Sequence, residues 1–521
     1  MKLRKIICVA IVALLAVSSL AGCGGDKEQA TTGHLTYWMG NYAGASELDN
    51  YGKMESVQKI HEAVGVEVEY VHPSSAAWEE SFNIMIASGD YTDMIYWDWA
   101  NKYTGGYEGA LNDGIVLDLT DKTDKLPNYS KILADNPDVD KTIRTTDGKL
   151  LFFATVKEDT SLNSCYGPMI RKDWLDKLGL SMPTTIDEWY TVLKAFKEQD
   201  PNGNGKADEI PFADTKSPGF KNFAGAFGTK TGIYVKDGKV VYGFMQPEYK
   251  AFITEMNKWY KEGLIDSEFA ALDKTTVDAY MSNDTSGATV AYVGSGMGTY
   301  LAAGQSIPGY NLVAAPWPSL EKGGKAYIPQ EFDRITSTTT GGVITTKCQD
   351  LDAAFKYMDY FYTPEATVLL NWGIEGKSYV VENGEKKLTD FVTNNPDGKS
   401  RNQAMGLYAN TASGAPQKIM AADAFAAVQY GTPQQKDASV IWNEGDRSLM
   451  TLEWPMTAEE KQKLSEIEGA IKTYESEMVT KMVMGTEPIS NYNKHMAEMK
   501  NRGIDEMLSI YQSAYERFMA N

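Results

Sequence analysis

Histidine and cysteine are scarce in this chain, with four of each among 521 residues. No C-x-x-C occurs, and His34, His61, His72 and His495 fall in no pattern with cysteine or with one another. That excludes zinc-type ligand spacing. It also leaves no motif for a nucleophile and its base, and G-x-S-x-G is absent. Positive charge is in deficit: 50 Lys and Arg face 70 Asp and Glu, for a net charge of −20. A chain of that sign does not hold nucleic acid or an anionic membrane surface through charge. Past the N-terminus there is no apolar run of membrane-spanning length, no repeat and no low-complexity tract. The glycine-rich stretch Gly294-Ser295-Gly296-Met297-Gly298 lacks the G-x-G-x-x-G spacing and any following Lys-Ser/Thr, so it reads as a tight turn opening a helix.

What is present begins with bulk. The chain is too long for one core, and its 43% hydrophobic content, 30 Tyr and 11 Trp supply apolar material for two or more lobes. At the N-terminus, Lys2, Arg4 and Lys5 precede an apolar stretch from Ile6 to Leu20, of signal-peptide length. Leu20-Ala21-Gly22-Cys23 then resembles the lipobox of bacterial lipoproteins. The resemblance implies cleavage before Cys23 and a diacylglycerol on its thiol. Residues 1–22 are thus expected to be a signal peptide and 23–33 a flexible tether. Cys8 leaves with the signal, so Cys165 and Cys348 remain. Two buried free thiols are the default expectation, with a disulfide between them left open.

The most chemically specific stretch is Asp200-Pro-Asn-Gly-Asn-Gly-Lys-Ala-Asp-Glu209. Asp200, Asn202 and Asn204 place oxygen side chains at alternate positions, and Asp208 and Glu209 close the series. Gly203 and Gly205 allow the sharp turns, and Lys206 stands where a calcium loop offers a backbone carbonyl. The pattern follows an EF-hand loop through its ninth position. It then departs, because the twelfth position is Pro211, and Glu209 is the candidate substitute for the usual bidentate Glu. Hard cations want six to eight oxygens from a tightly curled loop, so Ca²⁺ is the expected occupant.

Along the chain, strand and helix patterns alternate. Leu35–Trp38, Val66–Val71 and Met94–Trp97 read as strands, and Lys53–Val64 and Ala77–Ala87 as the helices between them. This argues for an α/β lobe with a largely parallel sheet. Gly148–Thr155 reads as a strand leaving that lobe. Thr185 with Glu188, and Thr457 with Glu460, are capping boxes opening helices. Asp237-Gly238 marks a hairpin. Trp174, Trp189 and Trp259 lie on helical apolar faces and belong to the core. Leu312–Pro318 and Gly342–Thr345 read as extended segments able to form the return crossing.

Taken in order, several of these stretches resemble the extracellular solute-binding lipoproteins of carbohydrate ABC importers, of the branch that includes alginate-oligosaccharide binders. The carriers are Ala87-Ser88-Gly89-Asp90 with Asp93, Arg171-Lys172-Asp173-Trp174-Leu175, Pro183–Trp189, the Asp200–Pro211 loop, Thr363-Pro364-Glu365-Ala366, Asn371–Gly376 and Gly485–Asn491. The resemblance implies an α/β, two-lobed, type II periplasmic-binding-protein-like fold that closes like a flytrap about hinge crossings. The first lobe is expected to comprise 34–153 and 340–420, and the second 154–339 and 421–521. It implies a structural Ca²⁺ on Asp200, Asn202, Asn204, Asp208, Glu209 and the carbonyl of Lys206. It further implies a monomer, lipid-anchored on the extracellular face of the bacterial cytoplasmic membrane, which delivers an oligosaccharide to permease subunits. The acidity of the chain favours a neutral oligosaccharide over a uronate.

Sugars are held by aromatic rings against their C–H faces and by planar polar groups on their hydroxyls. Ligands in open α/β sheets bind beyond the carboxyl ends of strands. That rule selects Trp38, Asn41 and Tyr42 after the first strand, and Trp97, Asp98 and Trp99 at the third. Trp317, Arg334, Trp372, Tyr379, Trp442 and Glu444 are further candidates. Two other readings stay open: a surface glycoside hydrolase with Asp98 and Glu444 as paired carboxylates, and a binder of peptide or another non-sugar solute on the same fold.

Overall fold

The structure is a computed structural model and describes residues 33–42, 48–163, 165–214, 219–330, 336–411 and 414–520. Cys23 and Arg334 therefore lie outside the described residues. Strands follow the chain as β1 (Gly33–Trp38), β2 (Val66–Val71), β3 (Met94–Trp97), β4 (Phe153–Lys157), β5 (Tyr166–Arg171) and β6 (Ile210–Phe212). After them come β7 (Ile233–Lys236), β8 (Lys239–Tyr242), β9 (Ser286–Tyr292), β10 (Leu312–Ala314) and β11 (Thr336–Ile344). The last three are β12 (Tyr379–Glu382), β13 (Glu385–Leu388) and β14 (Ile419–Met420).

The first lobe is built on a six-stranded sheet in the order β14-β4-β11-β3-β1-β2. β1 runs parallel to β2 and β3, while β11 enters antiparallel between β3 and β4. The local reasons are visible in the sequence. In β2, Val66, Val68 and Tyr70 point inward and the residues between them outward, the period of a half-buried strand. The helix Glu55–Val64 buries Val57, Ile60 and Val64 on one face and stops at Gly65, whose φ of +65° favours a residue without a Cβ. Two such helices, Glu55–Val64 and Leu351–Tyr360, pack beside this sheet around a common core.

The second lobe has its own core around a four-stranded sheet, β10-β5-β9-β6. Trp174, Trp189 and Trp259 are buried in it, on the faces their helical spacing predicts. Leu312–Ala314 pairs antiparallel with β5 inside this sheet. It therefore belongs to the second lobe and not to the return crossing, which β11 makes alone. The crossings between lobes are β4 outward, β11 back, and the stretch containing β14, which lies parallel to β4. In that third stretch Lys418 is buried and donates to the carbonyls of Leu370 (3.4 Å) and Asn410, and burial lowers its pKa to about 7.

The capping boxes differ in detail. Thr457 and Glu460 satisfy each other's backbone N–H at the start of the 27-residue helix Ala458–Met484. At Thr185 only half the box forms: its hydroxyl accepts from the Glu188 N–H, but the Glu188 carboxylate takes the N–H and hydroxyl of Thr184. Cys165 and Cys348 are free thiols; Cys348 is buried and Cys165 half-buried. Among the described residues no helix is long and apolar enough to cross a membrane.

Candidate functional site: a cavity between the lobes

Where β3 ends, the chain turns through Asp98 into two short helices, Trp99–Lys102 and Gly106–Asn112. Gly105 and Gly106 both hold positive φ there, and Gly105 packs closely on Ala458. The N-terminus of the long helix Ala458–Met484 thus docks directly on the first lobe. Glu108 secures the contact. One carboxylate oxygen accepts from the N–H and hydroxyl of Thr146 in its own lobe, and the other from the N–H of Ala458 at 3.1 Å. A carboxylate at a helix N-terminus is a favourable charge–dipole arrangement. Lys141 adds a second interlobe contact, with its ammonium 4.2 Å from the centre of the Phe518 ring.

Beside this junction lies a cavity of ≈ 610 Å³ walled by both lobes. Its first-lobe wall includes Asn101, Tyr107 and Phe152, with Tyr107 and Phe152 stacked 4.1 Å apart. Thr338 and Thr339 of β11 form part of the lining, and the second lobe contributes Trp454, Lys461 and Tyr511. Trp454 is held by Tyr515 and Tyr511, at 5.2 and 6.5 Å between ring centres. Aromatic walls on two sides, with polar groups between them, suit a ligand that has both C–H faces and hydroxyls.

The residues expected at the site take several positions. Trp38 and Trp97 pack on each other and on Phe82 in the first-lobe core, with ring centres 4.7–5.8 Å apart. Trp99 is wholly buried, at 0% exposure, against Phe82, Tyr103 and Tyr107. It offers no face to a ligand in this conformation, because β3 leads straight into a helix and turns the ring inward. Tyr42 is half-buried, edge-on to Trp78 and Tyr96, and Asn41 donates to the carbonyl of Leu48 at 2.8 Å. Asp98 is half-buried beside the cavity, bonded to Asn101, and burial raises its pKa.

In the second lobe, Trp442 is also wholly buried, its indole N–H shared between the carbonyls of Pro168 (3.1 Å) and Ala315 (3.2 Å). Trp317 is buried next to it and donates to the Trp442 carbonyl at 3.2 Å. Trp372 and Tyr379 pack on each other at 5.8 Å in a small cluster by β12, and Trp372 donates to Asp423. Glu444 is exposed. The cavity walls Tyr107, Phe152, Trp454 and Tyr511 carry no local motif. Trp454 had one weak signal: it stands in Trp454-Pro455, in the loop before a capped helix, outside any helical stripe. At the crossing end of the second sheet, Tyr166 and Tyr292 face each other across β5 and β9, and Tyr292 is exposed.

The Asp200 loop lies at the opposite end of that sheet. Asn202 donates to the carbonyl of Asp284 at 3.1 Å, and Ile210 N–H to that of Thr285, just before β9 starts. β9 is seven residues long, so roughly 20 Å separates the loop from Tyr292. Asp200 organises the turn: one carboxylate oxygen accepts from Gly203 and Asn204 N–H, the other from Gly205 N–H, at 2.9–3.1 Å. Asn204 donates to Asp208 at 3.0 Å. One oxygen of Glu209 is buried with no hydrogen-bond partner. Burial, then the charges of Asp200 and Asp208, raise the Glu209 pKa. Among the described residues no three His, Cys, Asp or Glu side chains gather closely enough to hold a metal. The donor set still fits a hard cation: its ligands are oxygens, and Glu209 holds an unused one beside two like charges.

The family model for bacterial extracellular solute-binding proteins matches residues 44–368. The chain is 26% identical over 494 residues to the fructooligosaccharide ABC transporter substrate-binding protein FusA of Streptococcus pneumoniae serotype 4, covering 89% of this chain and 87% of that one. It is 28% identical over 305 residues to the polygalacturonan/rhamnogalacturonan-binding protein YtcQ of Bacillus subtilis, covering 56% and 57%. Among solved structures, FusA in complex with kestose aligns with a TM-score of 0.73 at 23% identity, over 94% of this chain and 100% of that one. A FusA EF-hand mutant aligns with the same TM-score, at 22% identity and the same coverage. The alginate-binding protein AlgQ2 without calcium ion gives 0.71 at 23% identity, over 93% and 98%. These structural likenesses bear on the fold, and they agree with the two-lobed, type II architecture. Solute-binding proteins are transport components and not catalysts, so Asp98 and Glu444 need no hydrolytic role. The chain belongs to the bacterial extracellular solute-binding proteins.

Proposed function

We propose that the protein captures an oligosaccharide between its two lobes and presents it to the membrane subunits of an ABC importer. The observation that carries this reading is the ≈ 610 Å³ cavity, with Tyr107 and Phe152 in one wall and Trp454 and Tyr511 in the other. The relatives named for oligosaccharide and polysaccharide ligands support it. A ligand touching both walls favours the closed arrangement of the lobes, because its contacts are complete only there. A permease can then recognise the closed form. Cys23, with a diacylglycerol on its thiol, would hold the protein beside that permease, since two acyl chains suffice for stable anchoring.

Ca²⁺ is proposed for the second lobe, held by Asp200, Asn202, Asn204, Asp208, Glu209 and the Lys206 carbonyl. When bound it would offset the charges of Asp200, Asp208 and Glu209. The chain itself keeps this loop tied to the start of β9, roughly 20 Å from the crossing end of that sheet, which supports a structural role.

Thermal-shift titration of the full chain tests the ligand class. Neutral oligosaccharides, oligouronates and peptides are added separately. A true ligand raises the melting temperature with concentration, by about 2.7 kcal/mol of stabilisation at a hundred times Kd. A response to peptides with none to any sugar would refute the reading.

A further inference from the structure

Six charged side chains line the cavity, and Lys461 differs from the others. Arg144 pairs with Asp140 at 2.7 Å, and Lys472 with Glu468 at 2.8 Å. Glu108 is filled by Thr146 and Ala458. Lys461, on the first turn of Ala458–Met484, lines the same cavity, and among the described residues no hydrogen bond or ion pair engages its ammonium.

The surroundings of Lys461 are acidic. Glu453, Glu468 and Asp98 all act on it, yet desolvation prevails and its pKa is lowered. An ammonium carries three N–H donors and no acceptor. Lys461 is half-buried in the cavity wall, so those donors remain available to an acceptor that enters the cavity. Hydroxyl and ring oxygens of a sugar accept without bringing charge. A carboxylate would accept too, but the lining carries no net positive charge to draw it in: Glu108, Glu453 and Glu468 offset Arg144, Lys461 and Lys472 in number. Asp98 and Asp140 stand just behind and tip the balance negative. A polyuronate carries a charge on every residue and needs a lining rich in Arg or Lys.

We infer that Lys461 is a specificity-determining residue for a neutral oligosaccharide. It donates hydrogen bonds to the oxygens of a sugar seated against Tyr107 and Trp454, and the carboxylates around it turn polyuronates away. This rests on the oligosaccharide reading of the cavity given above.

Calorimetry on the full chain tests it, with kestose and maltotriose as neutral probes and trigalacturonate as the anionic one. The wild type is expected to bind a neutral probe and not trigalacturonate. Lys461→Met should weaken the neutral probe about tenfold or more, the worth of one charged hydrogen bond. Its melting temperature without ligand should be unchanged or raised, because a desolvated charge is gone. Lys461→Arg, which keeps the donors, should retain more affinity than Met. Equal affinity in wild type and Lys461→Met overturns the role of Lys461 and leaves the oligosaccharide reading standing. Wild-type binding of trigalacturonate overturns the charge argument and likewise leaves that reading standing. Binding of none of the three, together with a thermal shift from peptides, overturns both.

Discussion

Replacing Asp200 with Ala removes the acceptor for three backbone amides, those of Gly203, Asn204 and Gly205. These amides sit in an exposed turn, so water takes over part of the loss. Each hydrogen bond is then worth about 0.5–1.5 kcal/mol net, and the three together about 2–4 kcal/mol. The same change also removes one of three carboxylates from the calcium set. Two separable effects follow. The metal-free melting temperature of the second lobe falls, by roughly 4–16 °C at about 2–4 °C per kcal/mol for a unit of this size. The response to chelation should disappear as well. In the wild type, Ca²⁺ at a hundred times its Kd adds about 2.7 kcal/mol, so EDTA should lower the melting temperature by a similar 5–10 °C. In Asp200→Ala, EDTA should do nothing. The pH dependence is set by Glu209, whose pKa is raised by burial and like charge. Without metal, its contribution to stability is present below the unfolded carboxylate pKa and is lost as pH rises through the folded value. Calcium relieves the penalty only where Glu209 is ionised, so the EDTA effect should shrink toward pH 4. Scanning calorimetry with and without EDTA at pH 4 and pH 7 measures all of this. An Asp200→Ala protein that kept the full EDTA shift would refute the assignment, as would a wild type indifferent to EDTA at pH 7.

Trp442 is expected to matter for stability and not for ligand. Trp442→Ala should cost about 3–5 kcal/mol, because the ring is wholly buried and the indole N–H to the Pro168 and Ala315 carbonyls is lost. Affinity measured on the folded fraction should be unchanged, and a selective loss of affinity without destabilisation would show that the ring reaches the ligand. For Lys418, the folded pKa of about 7 lies below the unfolded value near 10.5. Between those values the unfolded chain holds a proton that the folded chain lacks, so this group makes stability rise with pH. Between pH 7 and pH 9.5 the wild type should therefore gain about 3 kcal/mol relative to Lys418→Met, at about 1.4 kcal/mol per unit. Urea melts at the two pH values read the difference, and parallel pH profiles would contradict it.

Much of the fold is legible one segment at a time. The alternation in Val66–Val71, the apolar stripe and terminal Gly65 of Glu55–Val64, and the Thr457–Glu460 box each encode a local conformation through contacts a few residues apart. The Asp200 loop is of the same kind: the bonds of the Asp200 carboxylate close within the loop, so spacing alone identifies an oxygen-lined turn. Other features depend on partners far away in the chain. Leu312–Ala314 is extended on either reading, and only pairing with β5 assigns it to the second lobe. Thr184 competes with Thr185 for the Glu188 carboxylate, which no box pattern foretells.

The functional surface is of this second kind. A tryptophan after a strand has the same sequence whether it faces a ligand or the core. Trp99 is turned inward because Phe82, Tyr103 and Tyr107 surround it, and Trp442 because Pro168 and Ala315 offer carbonyls to its N–H. Tyr107 and Trp454 meet one cavity only because the two lobes bring the helices after β3 against the start of Ala458–Met484. The sequence by itself determined the first-lobe strands, the Thr457–Glu460 cap, the oxygen-lined loop and the α/β class, because those are written in short-range periodicity and turn chemistry; the two-lobed form followed from chain length and the family resemblance. Only the tertiary structure decided which aromatic rings line the space between the lobes and which cation stands there unpaired, because burial and charge balance are properties of what surrounds a side chain.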